Sequence, residues 1–474
     1  MGWFFLPRLV AAAMMIATLV LLTRLLGAAQ FARYNIAITI GAVAYSLLFG
    51  WLSASMQRFH KAPEFNNQAT AVVLGTGLRI AVFGLAVILL FGLFFPEMSD
   101  KFLLLAAIYF IAHSLHEMGL SGLRVLRDGP GFAAAVVLRP MIAVALMLSV
   151  YLVFDAKYEG MLISISVSAA AIGLLSLWAT VKRAGIEKPR RDFTRQFFFF
   201  GAPLAFVSSA TMIMSLVAQF SIAKFVDLTA VGVYAAAHTL AMRTINMPMV
   251  MLGRSMSATL YQSFEENGSG PAMEQMARYS AFLLLVSVPV ATVLVFANDT
   301  VAVVLFGNAL NQGVAPHLPL LAMAAFISGL QGAFFSYSFT ISRRTGVQAM
   351  IITGTTLLHA ALVILFVVLF GPIGASFAIL TSSIAGLAAF VALGRRYQKV
   401  PIPFGHARRL FPAMVALALA ATAADNTQSV SISLVLIGLG LLLFLILLYI
   451  QKYWAIRSLA ERIFRRFETT RFAE

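Results

Sequence analysis

Fourteen apolar stretches, most of about twenty residues, run through this 474-residue chain and leave few folds open to it. A bilayer core of about 30 Å is crossed by about 20 helical residues. In lipid every backbone N–H and C=O must find its partner within the segment or its barrel, so long apolar runs become helices. The spans are read at 6–26, 36–56, 71–95, 102–121, 131–154, 160–181, 200–222, 231–254, 278–297, 316–341, 347–370, 373–394, 409–424 and 430–450, the thirteenth being short for a full crossing. The polar segments between them are too short to build a soluble domain. Charged residues make up 11% of the chain, less than half the share in soluble domains. The first apolar run, 9–26, exceeds a signal-peptide core of about 7–15 residues and is read as a retained span.

The formal charge of +16 would suit a nucleic-acid binder, but its placement excludes that reading. Arg24, Arg33, Lys101, Lys157 and Lys224 fall on odd-numbered loops, and Arg79, Arg139 and Arg243 fall within spans. The other 26 of the 34 Lys and Arg lie in the even-numbered loops and the two ends. That asymmetry puts both termini in the cytoplasm and makes the basic residues topology signals beside anionic lipid. The segment from Lys452 sets Ile456, Leu459, Ile463 and Phe467 on one helical face and arginines on the other, as an interfacial helix does. With no cysteine, disulfides, thiol catalysis and Cys-ligated metals are excluded. No Gly-rich phosphate loop with a Lys is present, so ATP does not drive the chain directly. No cofactor is expected.

The segment TRLLGAAQFARY, 23–34, ends the first span with a cation, and 200 residues later AKFVDLTAVGVY, 223–234, does the same with Lys224. Tyr34/Tyr234, Ser55/Ser255 and Met56/Met256 keep that offset. The order of span, cation and Tyr predicts two homologous halves. The expected organisation is an N-terminal six-helix bundle over 1–183, a basic cytoplasmic linker over 184–199 and a second six-helix bundle over 200–396. Two added spans follow over 397–450, then the amphipathic tail over 451–474. Even-numbered repeats of this kind are related by an axis along the membrane normal, with the binding site near the midplane.

These motifs resemble those of the polysaccharide flippases in the multidrug/oligosaccharidyl-lipid/polysaccharide exporter superfamily. The resemblance is carried by TRLLGAAQFARY, by GWLSASMQRFHKAPE at 50–64, by VGVYAAAHTLA at 231–241 and by GPIGASFAIL at 371–380. Ala32 and Ala28 stand where the family more often has Gly and Pro. The resemblance implies an alternating-access transporter like the multidrug and toxin exporters (MATE), and no enzyme. Its implied cargo is an isoprenoid-diphosphate-linked oligosaccharide, moved across the bacterial inner membrane for surface polysaccharide synthesis. It also implies membrane lipids, a polysaccharide polymerase and glycosyltransferases as partners. The alternatives are a multidrug exporter coupled to an ion gradient and a lipid II flippase.

An Arg or Lys at the bilayer centre costs about 2.5–3.5 kcal/mol on insertion scales, so it faces a cavity or a partner. Arg79 and Arg243 lie deep within spans, and Arg24 and Lys224 at span ends. The planar donor fork of Arg suits phosphate. These four are the candidate cavity cations, with snorkelling to the interface the plainer reading for Arg24 and Lys224. Arg139, beside Pro140 near a span start, reads as an interfacial anchor. HSLHEMGLSGLR, 113–124, sets His113, His116 and Glu117 on one helical face. They are candidates for ion coupling, against a polar lining or a salt link from Glu117 to Arg124. A metal site is not expected from so few ligands. Lone His238 and His359 read as hydrogen-bonded to neighbouring helices. Pro203, Pro248 and Pro289 interrupt spans and predict kinks.

Overall fold

The computed structural model describes residues 2–60, 68–91, 100–187, 191–306, 310–401, 404–451 and 453. The amphipathic tail from 454, the end of the third expected span at 92–95 and part of the basic linker at 188–190 lie outside them. Every regular element among the described residues is helical, and eleven helices are long and apolar enough to cross a membrane.

The chain divides into two compact units, 1–235 and 236–474. The first begins with α1, Gly2–Phe59, which holds the first two expected spans in one run. It breaks only at Gly27, whose φ of 68° and ψ of 170° leave the helical region. That backbone suits a residue without Cβ. The remaining helices are α2 (Ala69–Phe91), α3 (Asp100–Val125), α4 (Gly129–Phe154), α5 (Tyr158–Ala184), α6 (Arg191–Phe225) and the start of α7 (Leu228–Ala241). Thus α6 begins inside the segment expected as a linker: RDFTRQ is polar enough to leave the lipid yet carries no helix breaker.

Helix α6 lies antiparallel along α1. Ser55 Oγ donates to the Phe197 carbonyl at 2.8 Å, and Gly201 sits on the Trp51 backbone. Gln219 Nε2 reaches Thr39 Oγ1 at 3.4 Å. Phe49, Leu52, Met56, Val72, Phe110 and Phe197 fill the core between α1, α2, α3 and α6. Helices α3 and α5 approach through small residues. A Cβ on Gly173 would stand 2.6 Å from the His116 backbone nitrogen, and one on Gly119 would stand 2.6 Å from Ser176 Cβ. Close backbone approach of this kind holds membrane helices together where no hydrophobic drive exists.

The second unit holds the rest of α7, then α8 (Met247–Asn267), α9 (Ser269–Phe296), the short α10 (Asn298–Leu305) and α11 (Asn311–Val314), α12 (His317–Leu330) and α13 (Tyr337–Ile341). Helices α14 (Thr345–Phe370), α15 (Ile373–Gly394), α16 (Phe404–Asp425) and α17 (Val430–Ile450) complete it. Helix α16 has 22 residues, long enough for the span that looked short in sequence; His406, Arg408 and Arg409 occupy its first turns and lower its hydropathy without ending it. Two π-turns interrupt this unit, at Met242–Asn246 and Gln331–Phe335. The first has a visible cause. Pro248 has no N–H to give the Thr244 carbonyl four residues back, and Met247 N–H bonds instead to Met242 O, five residues back. The expected kink is here a widened turn. His359, fully buried, shares a hydrogen bond with Ser382 Oγ at 3.3 Å, and His317 one with Ser376 Oγ at 2.7 Å.

Asp425, at the end of α16, caps α10: its carboxylate accepts from Thr300 N at 2.6 Å and from Asp299 N at 3.3 Å. Partial burial, and then the charge of Asp425, raise the Asp299 carboxyl above its ordinary value. A carboxyl raised in the folded state stabilises that state below its folded value and loses that contribution as pH rises through it. Asp299→Asn is therefore expected to raise stability slightly at neutral pH and to flatten the pH dependence of the melting temperature just above the usual carboxylate range. A thermal melt in detergent from pH 4 to 7 checks this.

Candidate functional site

Apart from Arg79 on α2, the sequence-predicted residues fall into three places. Arg24 and Lys224 share one end of the first unit. Arg24 stands three residues before the break at Gly27, and Lys224 closes α6, three residues before Asp227. Asp227 Oδ1 accepts from Ala230 N at 2.7 Å and so starts α7. The antiparallel register of α6 on α1 sets Lys224 level with residues 28–34. Gly232, early in α7, seats directly on the Ala28 backbone, where a Cβ would collide with the carbonyl. Both cations are exposed, and Lys224 lies against the Phe225 ring at 5.8 Å. Arg33 in the same region lies over the Tyr158 ring at 5.7 Å. Arg79 is ten residues into α2 and also exposed.

The second place is within the first unit, on α3. His113 is held between two rings: Tyr45 meets it edge-on at 5.1 Å and Tyr109 stacks on it at 5.5 Å. Tyr45 OH shares a hydrogen bond with Ser53 Oγ at 3.0 Å. The Nδ1 atoms of His113 and His116 and the Ser114 hydroxyl are buried without a hydrogen-bond partner. The Glu117 carboxylate pairs with Arg139 Nη1 at 4.0 Å, where the sequence offered Arg124 as one alternative. Arg124 lies over the Phe132 ring at 5.5 Å. Arg139, read from the sequence as an interfacial anchor, here faces a carboxylate on the neighbouring helix. Glu117 lies eight residues before the end of α3 and Arg139 ten residues after the start of α4. At ~1.5 Å per residue both are about 12–15 Å from the turn that joins their helices. Among the described residues, no three His, Asp or Glu side chains converge as metal ligands.

Arg243, the third place, is half-buried inside the π-turn Met242–Asn246 of the second unit. A π-turn adds one residue to a helical turn and so re-aims the side chains around it; such turns are frequent at functional sites. Asn246 Nδ2, at the end of the same turn, reaches the Ala325 carbonyl on α12 at 3.5 Å. Sequence reasoning missed both the π-turn and the role of Arg139. Pro248 was the available signal for the first. Equal depth on either side of the short 126–128 connection was the signal for the second.

A family model described as polysaccharide biosynthesis protein matches residues 1–261, a stretch that includes every candidate site residue. No functionally curated protein matches the chain in sequence. Among solved structures, the fold is similar to that of the lipid II flippase MurJ in an inward closed conformation. There the TM-score is 0.74 at 14% identity, covering 94% of this chain and 97% of that one. It is also similar to an inward-facing multidrug resistance transporter of the MATE family, in the same exporter superfamily. There the TM-score is 0.65 at 17% identity, covering 81% of this chain and 94% of that one. At such identities the likeness establishes the fold alone: a multi-pass helical architecture like that of these two proteins.

Proposed function

The chain belongs to the polysaccharide biosynthesis protein family, and from that premise we propose that it flips an isoprenoid-diphosphate-linked oligosaccharide across the bacterial inner membrane. Both termini are cytoplasmic on this reading, and the transported lipid is destined for surface polysaccharide. Family membership supports a lipid-linked cargo. The observation that carries its anionic character is the balance of charge within the spans. The one carboxylate deep in a span, Glu117, is already paired with Arg139. Arg24, Arg79 and Lys224 are exposed cations, and Arg243 is half-buried. An exporter of organic cations needs an acid open to its cargo, whereas a lipid diphosphate needs cations. We assign Arg24, Arg79, Lys224 and Arg243 to the diphosphate, and His113, His116 and Glu117 to coupling. The polymerase and glycosyltransferases of the same synthesis are the working partners.

The direct test follows the lipid in a strain lacking this chain, with synthesis of new lipid-linked oligosaccharide left running. Accumulation on the cytoplasmic face, relieved by the wild type and not by an Arg24→Ala/Arg243→Ala double variant, is expected. Normal outward delivery, with lost resistance to a cationic drug, would move the protein to the multidrug exporters. The orientation has its own check, because the chain has no cysteine. Asn426→Cys, in the outward turn before α17, should react with an impermeant maleimide on intact cells. Asn267→Cys, at the end of α8, should react only after permeabilisation.

A further inference from the structure

We propose that Gln331 recognises the glycan of the cargo: its side-chain amide, seated on Gly386 in the middle of a span, bonds hydroxyls of a sugar ring. The inference rests on the reading above that the cargo is a lipid-linked oligosaccharide. It adds a neutral site for the part of that cargo which the cations do not bind.

The second π-turn, Gln331–Phe335, has no covalent cause. Ser336 N–H bonds to Gln331 O, five residues back, at 3.0 Å. Segment 320–341 has no proline, so no N–H is missing from the ladder. A π-turn re-aims the side chains around it, and such turns are frequent at functional sites. Gln331 is its first residue and stands ten residues before the end of α13. At ~1.5 Å per residue that is 15 Å inside the helix end.

The amide has a shaped seat and no partner in it. A Cβ on Gly386 of α15 would stand 3.0 Å from Gln331 Oε1, 3.4 Å from its Nε2 and 3.1 Å from Thr355 Cγ2 of α14. Glycine at 386 is what leaves the amide its room. Thr355 gives its hydroxyl proton to the Ile352 carbonyl at 3.0 Å. One turn further along these two helices, His359 and Ser382 share a hydrogen bond at 3.3 Å. Among the described residues nothing bonds the Gln331 amide. Gln331 is half-buried and Gly332 beside it is exposed, so the amide is open to a ligand. Lipid has nothing to give it: a polar group within a span faces protein, water or cargo.

The chemistry of the amide selects the ligand. It offers one acceptor oxygen and two N–H donors without charge. A phosphate would use only the donors, and an organic cation only the oxygen. Two neighbouring hydroxyls of a sugar ring, each able to give and to accept, use both. A site built to bond a hydroxyl strongly rejects the analogue that lacks it, so the same contact selects among glycans.

The amide also stands where a glycan would reach it. Helices α8 and α12 run parallel: Asn246 Nδ2 reaches the Ala325 carbonyl at 3.5 Å, and Gly253 packs on Ala333. That register sets Gln331 level with residues 251–252, eight or nine residues beyond Arg243. At ~1.5 Å per residue the two side chains are set 12–14 Å apart along the helices. The diphosphate at Arg243 and the glycan at Gln331 then occupy the two π-turns of one unit.

The test uses the purified full-length protein in nanodiscs, with affinities read by native mass spectrometry. One probe is the lipid-linked oligosaccharide extracted from a strain lacking this chain. The other is geranylgeranyl diphosphate, which has no sugar. The quantity read is the ratio of the two affinities; the difference in their tails is common to all variants and cancels between them. Gln331→Met, close in size and without the amide, should lower the ratio about tenfold, as the loss of two neutral hydrogen bonds does. Gln331→Asn, which draws the amide back by one methylene, should lower it nearly as far. Arg243→Gln should weaken both probes and keep the wild-type ratio. A Gln331→Met protein with the wild-type ratio, whether it binds both probes normally or both more weakly, would overturn the inference and leave the cargo reading intact. If Gln331→Met does not insert, Gln331→Asn decides in the same way. A wild type that does not bind the oligosaccharide would overturn the cargo reading, and this inference with it.

Discussion

Arg243→Ala is expected to cut export of lipid-linked oligosaccharide at least tenfold while the protein stays inserted and abundant. Arg243 stands in the π-turn Met242–Asn246 and is half-buried, so its charge is held near the widened turn and away from the ends of the helix. A charge-assisted hydrogen bond is worth about 1.5–3 kcal/mol, and each 1.4 kcal/mol is tenfold in binding. Losing both arms of a bidentate contact to a phosphate accounts for the size of the effect. Arg243→Lys should recover part of it, since Lys keeps the charge and loses the planar fork. The turn is tested separately by Pro248→Ala. The new N–H can bond the Thr244 carbonyl, which favours an ordinary α-turn. Closing the turn would swing Arg243 by about 100° relative to the helix that follows. Export should then fall with Arg243 still present. Export assays beside a membrane-fraction immunoblot read both variants. Normal export by Arg243→Ala at wild-type abundance would remove the residue from the cargo path.

Much of the fold was legible because lipid enforces one rule, internal satisfaction of the backbone, on any long apolar run. The last helix, Val430–Ile450, begins and ends where its hydropathy does. Boundaries drift where a helix continues beyond the lipid, as at Arg191 and Phe404, because hydropathy reports the membrane edge and hydrogen bonding sets the helix end. The candidate site was legible residue by residue and not as an arrangement. Spacing within α3 placed His113, His116 and Glu117 on one face, but the partner of Glu117 comes from another helix. Helical periodicity holds no information on that pairing. Pro248 announced a disturbance without saying which kind, since the alternatives differ in where the released carbonyl finds its donor.

Gly232→Val is expected to destabilise the protein more than substitution at any helical glycine that faces open space. Gly232 seats on the backbone of Ala28, just past the break at Gly27, and a Cβ there would stand 2.7 Å from the Ala28 carbonyl carbon. Backbone cannot swing aside as a side chain can, so either α7 or the second stretch of α1 must move. Overfilling a close-packed contact costs about 1–3 kcal/mol for a methylene or two, and Val adds two methyls to the Cβ. The displaced segment also bears Lys224 on one side and Arg24 on the other, so export should fall with stability. Two controls separate packing from backbone strain. Gly27 has a φ of +68° and a ψ of 170° with nothing within 4 Å of an added Cβ, so Gly27→Ala carries conformational strain alone, of about 1–3 kcal/mol. Gly354, helical and also with nothing within 4 Å, should gain slightly as Ala through helix propensity. Melting temperatures in detergent should rank Gly354→Ala at or above wild type, Gly27→Ala below it and Gly232→Val lowest. If Gly232→Val melts with the wild type, α7 does not rest on Ala28, and the two cation-bearing breaks are not held together at this end of the unit.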